Sequence, residues 1–143
     1  VVKGVRPDII ISQHGCDAHH FDPLTHFSTS MRIFREIPKL IHHLAHDYCE
    51  GRWVALGGGG YDIWRVVPRA WTLLWAEMSD QPLDEQPLPK AWLHKWQPKS
   101  PVQLVETLSD PIDGKLSLAG QRSRRKINKP SKKYSPTYLG MRI

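Results

Sequence analysis

The chain has 143 residues, enough for one domain with a real core. It holds no apolar run of about 18 residues, which excludes a membrane-spanning helix, and its opening Val1-Val2-Lys3-Gly4-Val5-Arg6 forms no signal peptide and reads as the interior of a longer protein. The formal charge of +6 belongs to one end: residues 115–143 carry nine Lys and Arg with no acid, whereas residues 1–114 set eleven basic residues against all fourteen acidic ones, a net −3 that gives the body no nucleic-acid-binding character.

Asp8-Ile9-Ile10-Ile11-Ser12 is a β-branched run that predicts a strand buried on both faces, as in a parallel sheet. Residues 13–24 are a polar loop rich in His, Asp and Gly. Across residues 29–48, Met31, Ile33, Phe34, Ile37, Leu40, Ile41, Leu44 and Ala45 recur every three or four positions and predict an amphipathic helix. Pro38 marks a kink or restart within it, and Gly51 its stop. Trp53-Val54-Ala55-Leu56 is a second short strand, followed by Gly57-Gly58-Gly59-Gly60-Tyr61-Asp62. Residues 63–78 form a second helix, with Trp64, Trp71 and Trp75 expected in the core. Strand–loop–helix repeated twice predicts an α/β fold with a mainly parallel sheet. Both loops then lie at carboxyl ends of strands, where open α/β sheets bind ligands. Residues 80–101 are expected to be irregular and 102–108 a short helix. Residues 114–143 lack apolar periodicity and are set apart from a domain over 1–113 as a disordered basic tail.

Two segments carry candidate chemistry. His14-Gly15-Cys16-Asp17-Ala18-His19-His20-Phe21-Asp22-Pro23-Leu24 offers carboxylates and imidazoles, which are metal-ligand material. Its plainer reading is a loop with Asp residues capping turns and solvated His residues. The glycine run lets backbone approach something closely. It lacks the GxxxxGK[ST] and GxGxxG spacings of phosphate loops, and Asp62 would repel an anion, which argues against a nucleotide module. His42 and His46, four apart on the first helix, have zinc-site spacing, but no third ligand stands in register, so a solvated helix face is the expectation. Cys16 and Cys49 form no CxxC pair, which points to a reducing cytoplasm and away from disulfides or zinc thiolates.

Taken together, Gln13-His14-Gly15-Cys16-Asp17, Phe21-Asp22-Pro23-Leu24, the Leu56-to-Tyr61 glycine run and Arg69-Ala70-Trp71-Thr72 resemble the C-terminal part of the zinc-dependent histone deacetylase superfamily, nearest to its bacterial acetoin-utilization branch. The resemblance covers roughly residues 1–110. It implies an arginase/deacetylase-like three-layer fold and hydrolysis of acetyl-lysine in acetylated proteins. It also implies Asp22 as a zinc ligand, Tyr61 as the hydrogen-bond donor to the carbonyl oxygen, Gly58, Gly59 and Gly60 as the wall of the acyl-lysine pocket, and Asp17 as loop support. The family's other Asp and His ligands and its general-base histidine pair belong to an upstream segment, the N-terminal portion of the same domain, which becomes the expected partner. His19-His20 does not fall at that pair's position. The chain alone is therefore expected to be an inactive fragment. The basic tail does not resemble the family's ending. It reads either as an extension that binds nucleic acid or another polyanion through charge, or as a non-native end.

Overall fold

β1 (Ile10–Gln13) and β2 (Trp53–Leu56) pair in parallel, Ile10 beside Trp53 and Gln13 beside Leu56, in a computed structural model that describes residues 1–110. The expected tail lies outside the described residues. A single turn, α1 (Val2–Val5), precedes β1 and ends on Arg6 in the left-handed region. The crossover between the strands is α2 (Met31–Cys49), which runs unbroken through the buried Pro38. It ends where Glu50 and Gly51 both take positive φ, so the stop lies where Gly51 predicts it. A second helix, α3 (Val67–Met78), begins later than its apolar periodicity suggests. Asp62 first holds a turn by accepting the N–H groups of Trp64 and Arg65 at 3.3 and 2.7 Å, and Pro68 then pre-sets the first helical turn.

α2 packs on α3 and against one face of the strand pair, where the His42 ring stacks on Trp53. Cys16, Met31, Val66, Ala70, Leu73 and Leu108 form the buried core, with Phe21 and Phe34 at its margin. The other sheet face is bare among the described residues: Ile11 is 64% exposed, and Val54 and Leu56 share that face. The expectation of strands buried on both faces therefore fails here. β-branched residues signal a strand, but they do not supply what covers it. Trp75, expected in the core, is 71% exposed, and Trp71 is also exposed. Trp64 is half-buried, edge-on to Trp96 at 6.4 Å.

Two further expectations are corrected. Residues 80–101 contain α4 (Lys90–Trp96) and a 3-10 turn, Gln97–Lys99. Residues 102–108 are irregular, not helical, with one antiparallel bridge between Thr107 and Pro87. Leu108 donates its N–H to Gln86 at 3.1 Å, and Leu88 donates to Glu106 at 2.7 Å. Leu104 and Leu108 are buried four residues apart, which imitates helical spacing, but their backbone is committed to other segments.

This returning segment delivers Asp110 beneath α2. Its Oδ2 accepts the Met31 N–H at 2.6 Å, capping α2 from a distant part of the chain, and lies 3.0 Å from His19 Nε2. Oδ1 accepts from Arg69 Nη1 at 2.9 Å. Burial works against the charge on Asp110, but the bonds from His19, Met31 and Arg69 outweigh it and hold the carboxyl far below the usual range.

Candidate active-site half

The loops after β1 and β2 lie against each other. Gly59 O accepts the N–H groups of both Cys16 (2.5 Å) and Asp17 (3.2 Å), and Leu56 O accepts from His14 N at 2.8 Å. None of Gly57, Gly58, Gly59 and Gly60 takes positive φ, so glycine serves here for close approach alone. A Cβ on Gly58 would run into the Gln13 side chain, one on Gly59 into the Asp17 carboxylate, and one on Gly60 would lie 2.6 Å from Cys16 Sγ. The space the missing side chains would fill is occupied by the neighbouring loop. Close packing accounts for these three glycines, whatever else their outer edge borders.

Asp22 joins the two loops. It is 4% exposed. Oδ1 accepts the N–H groups of Leu24 (2.9 Å) and Thr25 (3.3 Å), and Oδ2 accepts that of Tyr61 (2.9 Å). Burial raises its pKa, but the backbone donors Leu24, Tyr61, Thr25 and Asp62 outweigh that and hold it below the ordinary value. A carboxylate whose lone pairs are engaged by backbone donors has none to offer a metal. The assignment of Asp22 as zinc ligand is set aside on this ground: Asp22 is the bracket that fixes the Tyr61 backbone to the first loop.

Asp17 is its counterpart. Its N–H is held by Gly59 O, and its carbonyl accepts from the Thr25 hydroxyl. The half-buried carboxylate lies against Gly59 and receives no hydrogen bond among the described residues. Loop support, the role expected for Asp17, is carried by its backbone, and its side chain is left for other work. Tyr61 presents its ring at 52% exposure.

Around this pair the loop is held rigidly. His19 is fully buried, and its Nδ1 accepts the Phe21 N–H at 3.1 Å, so Nε2 carries the proton donated to Asp110. His19, His20 and Asp110 offer ligand atoms within 4.8 Å of one another. With both His19 nitrogens committed and the Arg69 guanidinium on Asp110, however, this trio is an ion-paired clasp. Arg65 lies 4.0 Å over the Phe21 ring and reaches back to Asp62 Oδ2 at 2.8 Å through Nε. Beside the glycines, burial and the nearby Asp17, Asp22 and Asp62 push the Cys16 thiol up to about 11. His14 is pushed down by burial. Trp53 donates to Ser12 Oγ, which leaves that hydroxyl's proton for His14 Nε2, both at 2.7 Å. Sequence reasoning missed Asp110, and it singled out Arg69 only as part of a family-like segment, without its ion-pair role. The only signal of that role is spatial, since Asp110 is 91 residues from His19.

The Histone deacetylase domain model matches residues 1–78, more than half of the chain. The chain belongs to the histone deacetylase family. It is of the AcuC type: it is 56% identical over 108 residues to the acetoin utilization protein AcuC of Bacillus subtilis, covering 76% of this chain and 28% of that protein. It is 39% identical over 128 residues to AcuC of Staphylococcus xylosus (90% and 33%), and 42% identical over 113 residues to AcuC of Staphylococcus aureus strain Mu50 (79% and 29%). The chain thus spans about a third or less of the curated relatives it matches.

Proposed function

We propose that this chain contributes one wall of a zinc-dependent deacetylase site, in the C-terminal part of an arginase-like domain. The reaction would be hydrolysis of an acetyl-lysine amide to lysine and acetate, in a cytoplasmic enzyme linked to acetoin use. The observation that carries this reading is the Tyr61–Asp22 bond. It places the backbone of the tyrosine against the aspartate loop, as a shared site requires. The hydroxyl of Tyr61, a residue 52% exposed, is the donor for the oxygen that becomes negative as the amide carbonyl is attacked, a role worth several kcal/mol when the donor is pre-positioned.

Asp17 fits a zinc ligand where Asp22 does not. Its backbone is pinned on both sides, and its carboxylate is an oxygen donor of the kind that pairs with imidazole on zinc. Bound zinc would supply polarisation of the carbonyl and a water of lowered pKa. A catalytic zinc needs about three protein ligands, so the others and the general base must come from the remainder of the domain, and the chain by itself is expected to release no acetate. Gly58, Gly59 and Gly60 let the loop that ends in Tyr61 close on the loop that carries Asp17, and their outer edge would line the acyl-lysine channel.

The test is made in the complete enzyme. Asp17→Asn should strip the metal, whereas Asp22→Asn should lower stability while leaving metal content in the folded fraction. Tyr61→Phe should keep the metal and reduce kcat by about 100- to 1,000-fold. Metal loss from a folded Asp22→Asn enzyme beside a fully loaded Asp17→Asn enzyme would sink the exchange of roles.

A further inference from the structure

His42 and His46 stand one turn apart on α2, and the packing of α3 brings them the partners that the sequence does not reveal. His42 Nδ1 lies 3.0 Å from Glu77 Oε1. A carboxylate accepts, so Nδ1 carries the proton and the lone pair of the neutral ring sits on Nε2. A ring nitrogen donating to a carboxylate while the other points outward is how metal-binding imidazoles are usually held. His42 Nε2 faces His46 Nε2 at 3.0 Å and Asp80 Oδ1 at 3.6 Å.

We propose that His42, His46 and Asp80 form a binding site for a divalent transition-metal ion of the zinc class, separate from the deacetylase centre and clamping α2 to the end of α3. Two imidazole nitrogens and one carboxylate oxygen suit Zn²⁺ or Ni²⁺ better than Mg²⁺ or Ca²⁺. At present His46 Nε2 supplies the proton shared with His42. Carrying it on Nδ1 instead leaves a lone pair on both Nε2 atoms, and a turn of the exposed His46 ring is what aims the two at one cation. Asp80 is 83% exposed and free to change rotamer, and it must swing to complete the set, because its carboxylate and both Nε2 atoms do not yet lie within 4.8 Å of one another. It follows the C-terminus of α3 in the left-handed conformation (φ 53°). The carbonyl end of that helix, with Glu77, adds negative potential for a cation. The site lies at the opposite end of the strands from Tyr61: His42 stacks on Trp53 at the start of β2, and His46 packs against Gly51 just before it. Unlike the His19 trio, this set has no guanidinium on its carboxylates among the described residues.

The experiment titrates Ni²⁺ and Zn²⁺ into the metal-free 143-residue chain by calorimetry, in the unsubstituted form and in Asp17→Asn. Both should bind about one equivalent at this site. His46→Gln, at an exposed position, should weaken binding by about tenfold or more, and Asp80→Asn by a smaller factor. Saturating metal should raise the melting temperature of the unsubstituted chain and not that of His46→Gln, whose metal-free melt should be unchanged. Equal affinity in His46→Gln, binding lost in Asp17→Asn, or no binding at all would each overturn the proposal.

Discussion

Asp17 and Asp22 are both acidic, five positions apart in one loop, and residue type alone does not separate them. What separates them is how many backbone N–H groups each receives, a property of the folded loop. The Asp22–Tyr61 bond explains why the two motifs occur as a pair, but the pairing does not say which carboxylate is free. The glycines were legible as a close-approach device, though not what they approach. Gly60→Ala should cost about 1–3 kcal/mol in urea unfolding, because its Cβ meets the buried Cys16 sulfur and Val67. Gly58→Ala should cost less, since the two nearest obstructing atoms end the Gln13 side chain, which can rotate away, and the backbone contact with Gly15 Cα is at 3.0 Å. Cys16 and Cys49 are both free and buried. With its pKa raised, the Cys16 thiol should react with a disulfide reagent at neutral pH only after denaturant is added. Rapid labelling of the native chain would contradict its burial.

At the scale of elements, α2, α3 and both strands were readable because their signals are local: apolar spacing, a β-branched run and a glycine stop at Gly51, although apolar spacing without Pro68 places the start of α3 too early. α4 and the 86–108 pairing were not, because a seven-residue helix has few turns to show a period and the pairing is between distant segments. Asp110 is the extreme case, a cap for α2 that lies 79 residues from Met31. Asp110→Asn would leave the buried Arg69 without its partner and should cost about 3–5 kcal/mol in chemical denaturation. The pH dependence has a definite sign. The folded-state pKa of Asp110 lies below the ordinary value of 3.8, so its contribution is complete above that value. It is lost as pH falls below 3.8 toward the depressed folded value. Acid titration should therefore destabilise the unsubstituted chain more steeply through that range than Asp110→Asn. Asp22, depressed as well, adds in the same direction.

For the molecule as a whole, the bare sheet face has the greatest effect on behaviour. Ile11, Val54 and Leu56 form a contiguous apolar strip with no cover among the described residues, and both strands of a two-stranded sheet keep an outer edge. Exposed strand edges beside apolar surface invite pairing with other chains. The isolated chain should sediment as concentration-dependent oligomers and bind an apolar dye, and Ile11→Lys with Val54→Glu should reduce both. In a complete domain further strands would pair with the outer edges and a layer of helices would cover the strip, so that double substitution should be far more damaging there. Hydrophobic pattern marked Ile11 for burial and Trp75 for the core because it records apolar character and not what covers it. The Asp110 clasp, finally, sets an order of events during synthesis. A ribosome produces the His19 loop 91 residues before Asp110, so the loop that carries Asp17 has to wait, without its anchor, until the returning segment has emerged.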